Sequence, residues 1–145
     1  MPASPPDLRA QYTEFVVIDS RWADNDAYGH VNNVVYYSYF DTAVNRWLID
    51  RNLLDIADSP VVGLVAETGC RYFAPLSFPD RVSVGLRVTH LGTTSVRYAL
   101  AIFRNEQQEA SAMGHFVHVY VNRRTGRPAP IPPAIREALA TLMPA

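Results

Sequence analysis

The chain has 145 residues, 48% hydrophobic and 19% charged, a balance that fits one globular domain with a buried core and argues against disorder or a disulfide-held mini-protein. Its 13 basic and 14 acidic residues give a formal net charge of -1, so there is no general pull towards nucleic acid or an anionic membrane. Every basic residue is an arginine, which removes Schiff-base and P-loop lysine chemistry, and the single Cys70 excludes an intramolecular disulfide or a multi-cysteine metal site.

Residues 1 to 12 read as a loose tail ahead of a single domain over 13–145. The segment Met1 to Arg9 is rich in proline, carries an acidic residue and leads into no apolar run, unlike a secretory signal. No stretch approaches the roughly 20 apolar residues of a membrane helix. Together with the lone cysteine, this predicts a cytoplasmic protein without membrane insertion.

Glu14 to Trp22 reads as a strand and ends in the turn-forming run Ala23-Asp24-Asn25-Asp26-Ala27-Tyr28-Gly29. A long helix follows, because Tyr36, Phe40, Ala43, Val44, Trp47 and Leu48 form one apolar stripe at helical spacing, with Asn32 as its candidate N-cap. From Val61 onwards the period changes to alternation. In Arg81 to His90, Val82, Val84, Leu86 and Val88 share one face, while Arg81, Ser83, Arg87 and Thr89 share the other. Leu91-Gly92-Thr93-Thr94 turns the chain into Ser95 to Arg104, and Asn105-Glu106-Gln107-Gln108 turns it into Glu109 to Asn122. Such short connections make the strands antiparallel. Pro132-Pro133 opens a short terminal helix with Ile135, Leu139 and Leu142 on one side. One long apolar helix needs a sheet to cover it, which gives an α+β fold: a curved antiparallel sheet wrapped around a central helix.

The densest polar cluster, Asp24, Asn25, Asp26, Tyr28, His30, Asn32 and Asn33, lies between the first strand and the long helix. A turn followed by a helix cap is its ordinary meaning. A calcium loop fails, since Tyr28 and Val35 stand where ligands are required. His115 and His118, three apart on a strand, point to opposite faces and make a poor metal pair. Cys70 has no local base or positive setting and reads as a small buried hydrophobe. Asp24 and Asp26 as a glycosidase dyad lack the accompanying carbohydrate site.

The run Arg21-Trp22-Ala23-Asp24-Asn25-Asp26-Ala27-Tyr28-Gly29-His30-Val31-Asn32-Asn33, continuing into Tyr36-Tyr37-Ser38-Tyr39-Phe40, resembles the signature of the 4-hydroxybenzoyl-CoA thioesterase family of hotdog-fold proteins. Arg71-Tyr72-Phe73-Ala74-Pro75-Leu76 followed by Asp80 is similar to that family's second strand and the turn after it. The resemblance implies a hotdog fold, cofactor-free hydrolysis of an acyl-CoA, and a homodimer with edge-to-edge sheets, or a tetramer of such dimers. It places the catalytic carboxylate at Asp26 and the oxyanion donor at the backbone N–H of Asn33. A donor at the start of a helix lacks an intrahelical partner and suits the charge that develops on a thioester oxygen.

His30 falls in the His-Val-Asn-Asn element, which also resembles plant-type acyl-carrier-protein thioesterases, although Tyr28 stands where those carry an asparagine. It would orient Asp26 or water, or bond the loop. Tyr36 and Phe40 read as core, whereas Tyr37 and Tyr39 are candidates for an acyl pocket or a subunit contact. Gly92, Thr93 and Thr94 match the family's turn near the CoA phosphates, where backbone amides and hydroxyls can hold phosphate. The alternatives to an acyl-CoA hydrolase are a non-catalytic acyl-CoA-binding hotdog protein, an acyl-carrier-protein thioesterase and a hotdog dehydratase.

Overall fold

The computed structural model describes residues 4–144. Strand β1 (Glu14–Asp19) leads through a short 3-10 turn (Trp22–Asp24) to helix α1 (Val35–Asp50). Four strands follow, β2 (Val61–Tyr72), β3 (Arg81–Leu91), β4 (Ser95–Arg104) and β5 (Ala112–Asn122), and then helix α2 (Pro133–Ala140). All pairings are antiparallel in one five-stranded sheet of order β1-β3-β4-β5-β2. Helix α1 touches both edge strands and β3 between them, so the sheet embraces it in a hotdog-like α+β fold.

The predicted apolar stripe is the buried face of α1, from Tyr36 to Leu48, and it meets Val82, Val84, Leu86 and Val88 on the inner face of β3. Helix and sheet approach closely at Gly114 on β5. A β-carbon there would run into the Phe40 ring and the Gly69 carbonyl, so glycine lets the helix lie against the sheet. His115 and His118 do point to opposite faces: His115 pairs with Glu67 on the outer face at 3.0 Å, while His118 is in the core.

Two expectations need correction. Residues 7–12 are not a loose tail. Leu8 bridges Glu109, the Ala110 N–H donates to the Asp7 carbonyl at 2.9 Å, and Tyr12 is buried against Gly85 on the outer face of the sheet. There the Tyr12 ring meets Phe103 and Phe15, and the guanidinium of Arg87 sits over it. The sheet therefore has a second, smaller core outside, which the alternating pattern of β3 alone does not announce. The first strand also ends earlier than Trp22, because Ser20 turns away by donating its N–H and hydroxyl to the Asp80 carbonyl. Among the described residues no helix is long and apolar enough to cross a membrane.

Candidate active site

The polar cluster folds into a loop pinned at Asp24, which is 1% exposed. Its carboxylate accepts from the Arg21 N–H and the Tyr39 hydroxyl, each at 2.8 Å, and faces the Arg21 guanidinium at 2.8 Å. Burial alone would raise its pKa, but these donors together hold it below the ordinary carboxylate value. Tyr39 is thus a buried clamp on Asp24, not a residue lining an acyl pocket. The Asp24 carbonyl accepts the Asn32 N–H at 2.9 Å and closes the loop at its base.

Asp26 occupies the tip. Its N–H donates to the His30 carbonyl at 2.8 Å and its carbonyl accepts from the Gly29 N–H at 3.1 Å. This tight turn places Gly29 at φ +79, where a side chain would be strained. One carboxylate oxygen of Asp26 accepts the Tyr28 N–H at 2.8 Å, and no described residue donates to the other. The segment before β3 holds the loop from the far side: the Ser77 hydroxyl donates to the Gly29 carbonyl at 2.7 Å, and the Phe78 N–H to the Asn25 side chain at 3.0 Å.

Asn32 caps the turn that precedes α1, not the helix itself. Its side-chain oxygen accepts the Val34 N–H at 3.0 Å and its carbonyl the Val35 N–H at 2.9 Å, so Asn33 sits within that turn, two residues before the first helical residue. Among the described residues nothing accepts the Asn33 N–H. The Asn33 carbonyl accepts from the Tyr72 hydroxyl at 2.8 Å, and the Tyr72 ring packs edge-on against Tyr36.

Asp26, His30 and Asn33 line one open cleft of about 380 Å³, together with Tyr36, Tyr72 and the Phe73–Pro75 segment. Three of the predicted site residues are therefore brought together. Tyr37 is not among the residues lining that cleft; it is half-buried one position beyond Tyr36, edge-on to Phe40. Gly92, Thr93 and Thr94 lie at the opposite end of the sheet, where the carbonyls of Gly92 and Thr93 accept from Arg136 and that of Thr93 also accepts the Ile131 N–H. Tyr72 is the residue that sequence reasoning missed. It lies within the Arg71–Leu76 match, but only the fold carries it across to the Asn33 backbone. Cys70 packs against the core, and burial pushes its thiol up to about 11, which disfavours the nucleophilic thiolate.

A family model described as the thioesterase-like superfamily matches residues 20–139. The chain belongs to that superfamily. None of the curated proteins matches this thioesterase. Among solved structures, it is 55% identical to the PA5185 protein of Pseudomonas aeruginosa, covering 97% of this chain and 99% of that one with a TM-score of 0.94. It is 36% identical to a thioesterase of Thermus thermophilus complexed with coenzyme A and Zn, covering 88% and 92% with a TM-score of 0.72. The PA2801 protein of Pseudomonas aeruginosa is 31% identical over 86% of this chain and 96% of its own, with a TM-score of 0.81. The span matched by the family model includes both the cluster after β1 and Tyr72.

Proposed function

We propose that the thioesterase hydrolyses an acyl-CoA, in the manner of the 4-hydroxybenzoyl-CoA thioesterases, at the cleft between Asp26 and Asn33. The observation that carries this reading is the convergence of a carboxylate with one unengaged oxygen and a backbone N–H without an acceptor on a single open cleft. The coenzyme A bound by the Thermus relative supports the leaving group. Asp26 takes a proton from water as the water oxygen adds to the thioester carbon, or adds to that carbon itself and gives an anhydride that water then opens. In either route the carbonyl oxygen gains negative charge, which the Asn33 N–H stabilises. The C–S bond then breaks, CoA leaves as thiolate and takes up a proton, and the acid remains. His30, on the same cleft, orients Asp26 or the water. Tyr72 bonds the Asn33 carbonyl, in the peptide next to the one that carries the donor N–H, and so acts as a positioning residue for the Asn33 backbone.

Strand β2 pairs only on its β5 side, and Leu64 and Val65 on it are about half exposed. A second copy adding its β2 antiparallel continues the sheet and covers this edge. The Gly92–Thr94 end of one copy then lies towards the Asp26 end of the other, where its amides and hydroxyls contribute to holding CoA.

The deciding experiment is thiol release from a panel of alkyl- and aryl-CoAs by the wild type and by Asp26→Asn. Hydrolysis of at least one substrate, reduced about 100-fold or more by the substitution, is expected. Binding without thiol release would favour a non-catalytic acyl-CoA carrier, and full activity in Asp26→Asn would remove the carboxylate from the mechanism.

A further inference from the structure

A second pocket, of about 210 Å³, lies at the far end of α1 from the Asp26 cleft, between that helix, the loop after it, the start of β2 and α2. Leu48 on its wall is 15 residues beyond Asn33, about 22 Å at ~1.5 Å per residue. Phe40, Ala43 and Val44 lie along the helix between the two sites and are fully buried. The walls are largely aliphatic, with Leu48, Leu53, Leu54, Val61 and Ile135.

His118 and Tyr120 also line this pocket and are each 2% exposed. Neither His118 Nδ1 nor the Tyr120 hydroxyl has a hydrogen-bond partner among the described residues. Buried polar atoms are almost always paired, and two unpaired ones in a single pocket cost stability unless a guest or water serves them. Gly63 makes the imidazole's position possible, since a β-carbon there would lie 2.8 Å from His118 Nδ1.

The pocket's two unpaired groups carry no charge at neutral pH. Burial lowers the His118 pKa to about 4, so at neutral pH the ring is uncharged, with one donor and one acceptor nitrogen. Arg123, the one charged residue lining the pocket, donates to the carbonyls of Ser59 at 2.6 Å and Ile56 at 2.8 Å and holds the loop over the opening. An engineered apolar cavity of about 150 Å³ holds benzene, so a space of this size admits a somewhat larger monocyclic guest.

We propose that this pocket is a binding site for a small neutral hydroxylated molecule, a single ring or branched chain of about six to eight carbons, whose hydroxyl exchanges hydrogen bonds with His118 and Tyr120. Within one chain it is separate from the thioester cleft, and it stands whether or not the acyl-CoA reading does.

Phenol is the probe, with toluene as the isostere lacking the hydroxyl and benzoate as the charged analogue, each titrated into the full-length protein and followed at the His118 ring by NMR. Saturable phenol binding with a dissociation constant of about 1 mM or tighter is expected. Toluene should bind about 5- to 10-fold more weakly, and benzoate should not bind. Tyr120→Phe removes one oxygen and keeps the ring; it should weaken phenol by about the same factor and leave toluene unchanged. His118→Phe, followed by thermal shift, is the second variant, and Tyr120→Phe decides alone if that protein does not fold. A pocket that holds only water would give no saturable response to phenol. That result, equal affinity for phenol and toluene, or indifference of phenol to Tyr120→Phe would each overturn the proposal.

Discussion

Two aspartates separated by one residue have opposite surroundings. Asp24 is buried beneath Arg21 and Tyr39, whereas Asp26 faces the cleft with one oxygen free. Tyr39→Phe leaves that buried carboxylate short of a donor, and hydrogen bonds to charged groups contribute about 1.5–3 kcal/mol. The urea midpoint should fall accordingly, with the slope of the transition unchanged. The Asp24 pKa should also rise towards the ordinary value, so that stability is lost at a higher pH on acidification than in the wild type. His118 gives a separate acid sensitivity. Its folded pKa is about 4 against an ordinary 6.5, so between those values the unfolded chain takes up a proton that the folded chain refuses. Its stabilising contribution is complete above pH 6.5 and is lost as the pH falls towards 4. By pH 4.5 this amounts to about 2–3 kcal/mol. Urea unfolding of wild type and His118→Phe should show that difference as a steeper pH dependence in the wild type; equal slopes would mean that the ring is not held neutral.

At the scale of elements, the packing of α1 on the sheet turns on Gly114. Gly114→Val drives two methyl groups against Phe40 and the Gly69 carbonyl, and such overpacking typically costs about 1–3 kcal/mol, with more where backbone must move. A drop of that size in unfolding free energy is expected, whereas a neutral result would show that helix and sheet separate easily. The helix and hairpins were legible in the sequence because their signals are local: an apolar stripe on α1, alternation in β3, and Gly92 or Asn105 at the turns. The role of residues 7–12 was hidden because its partners are distant. Tyr12 reads as an isolated aromatic until β3 presents Gly85 and β4 presents Phe103 beneath it. The candidate site divides in the same way. Asp26, His30 and Asn33 could be read together because they lie within eight positions, while Tyr72 reaches the Asn33 carbonyl from 39 residues further along. Asn32 was recognisable as a capping residue, but one turn of backbone intervenes before α1, a boundary set by hydrogen bonds and not by residue type.

For the whole molecule, the proposed second copy and the chemistry are linked through β2. An edge strand about half exposed at Leu64 and Val65, in a chain with little net charge, is poorly protected against pairing. The Gly92–Thr94 turn stands at the opposite end of the chain's own sheet from Asp26, so it can serve the cleft only from another molecule. Val65→Lys places a charge on that edge without touching Asp26, Asn33 or the α1 core. Sedimentation of the wild type should give twice the 16.2 kDa chain mass or a multiple of that, and Val65→Lys should shift it towards the single chain. If the turn contributes to CoA binding across the pair, KM for acyl-CoA should rise in Val65→Lys as the dimer dissociates, and raising the protein concentration should restore it. A wild type that sediments as one chain, yet hydrolyses acyl-CoA with a rate per chain independent of concentration, would confine the whole reaction to the cleft of a single molecule and leave the turn without a part in it.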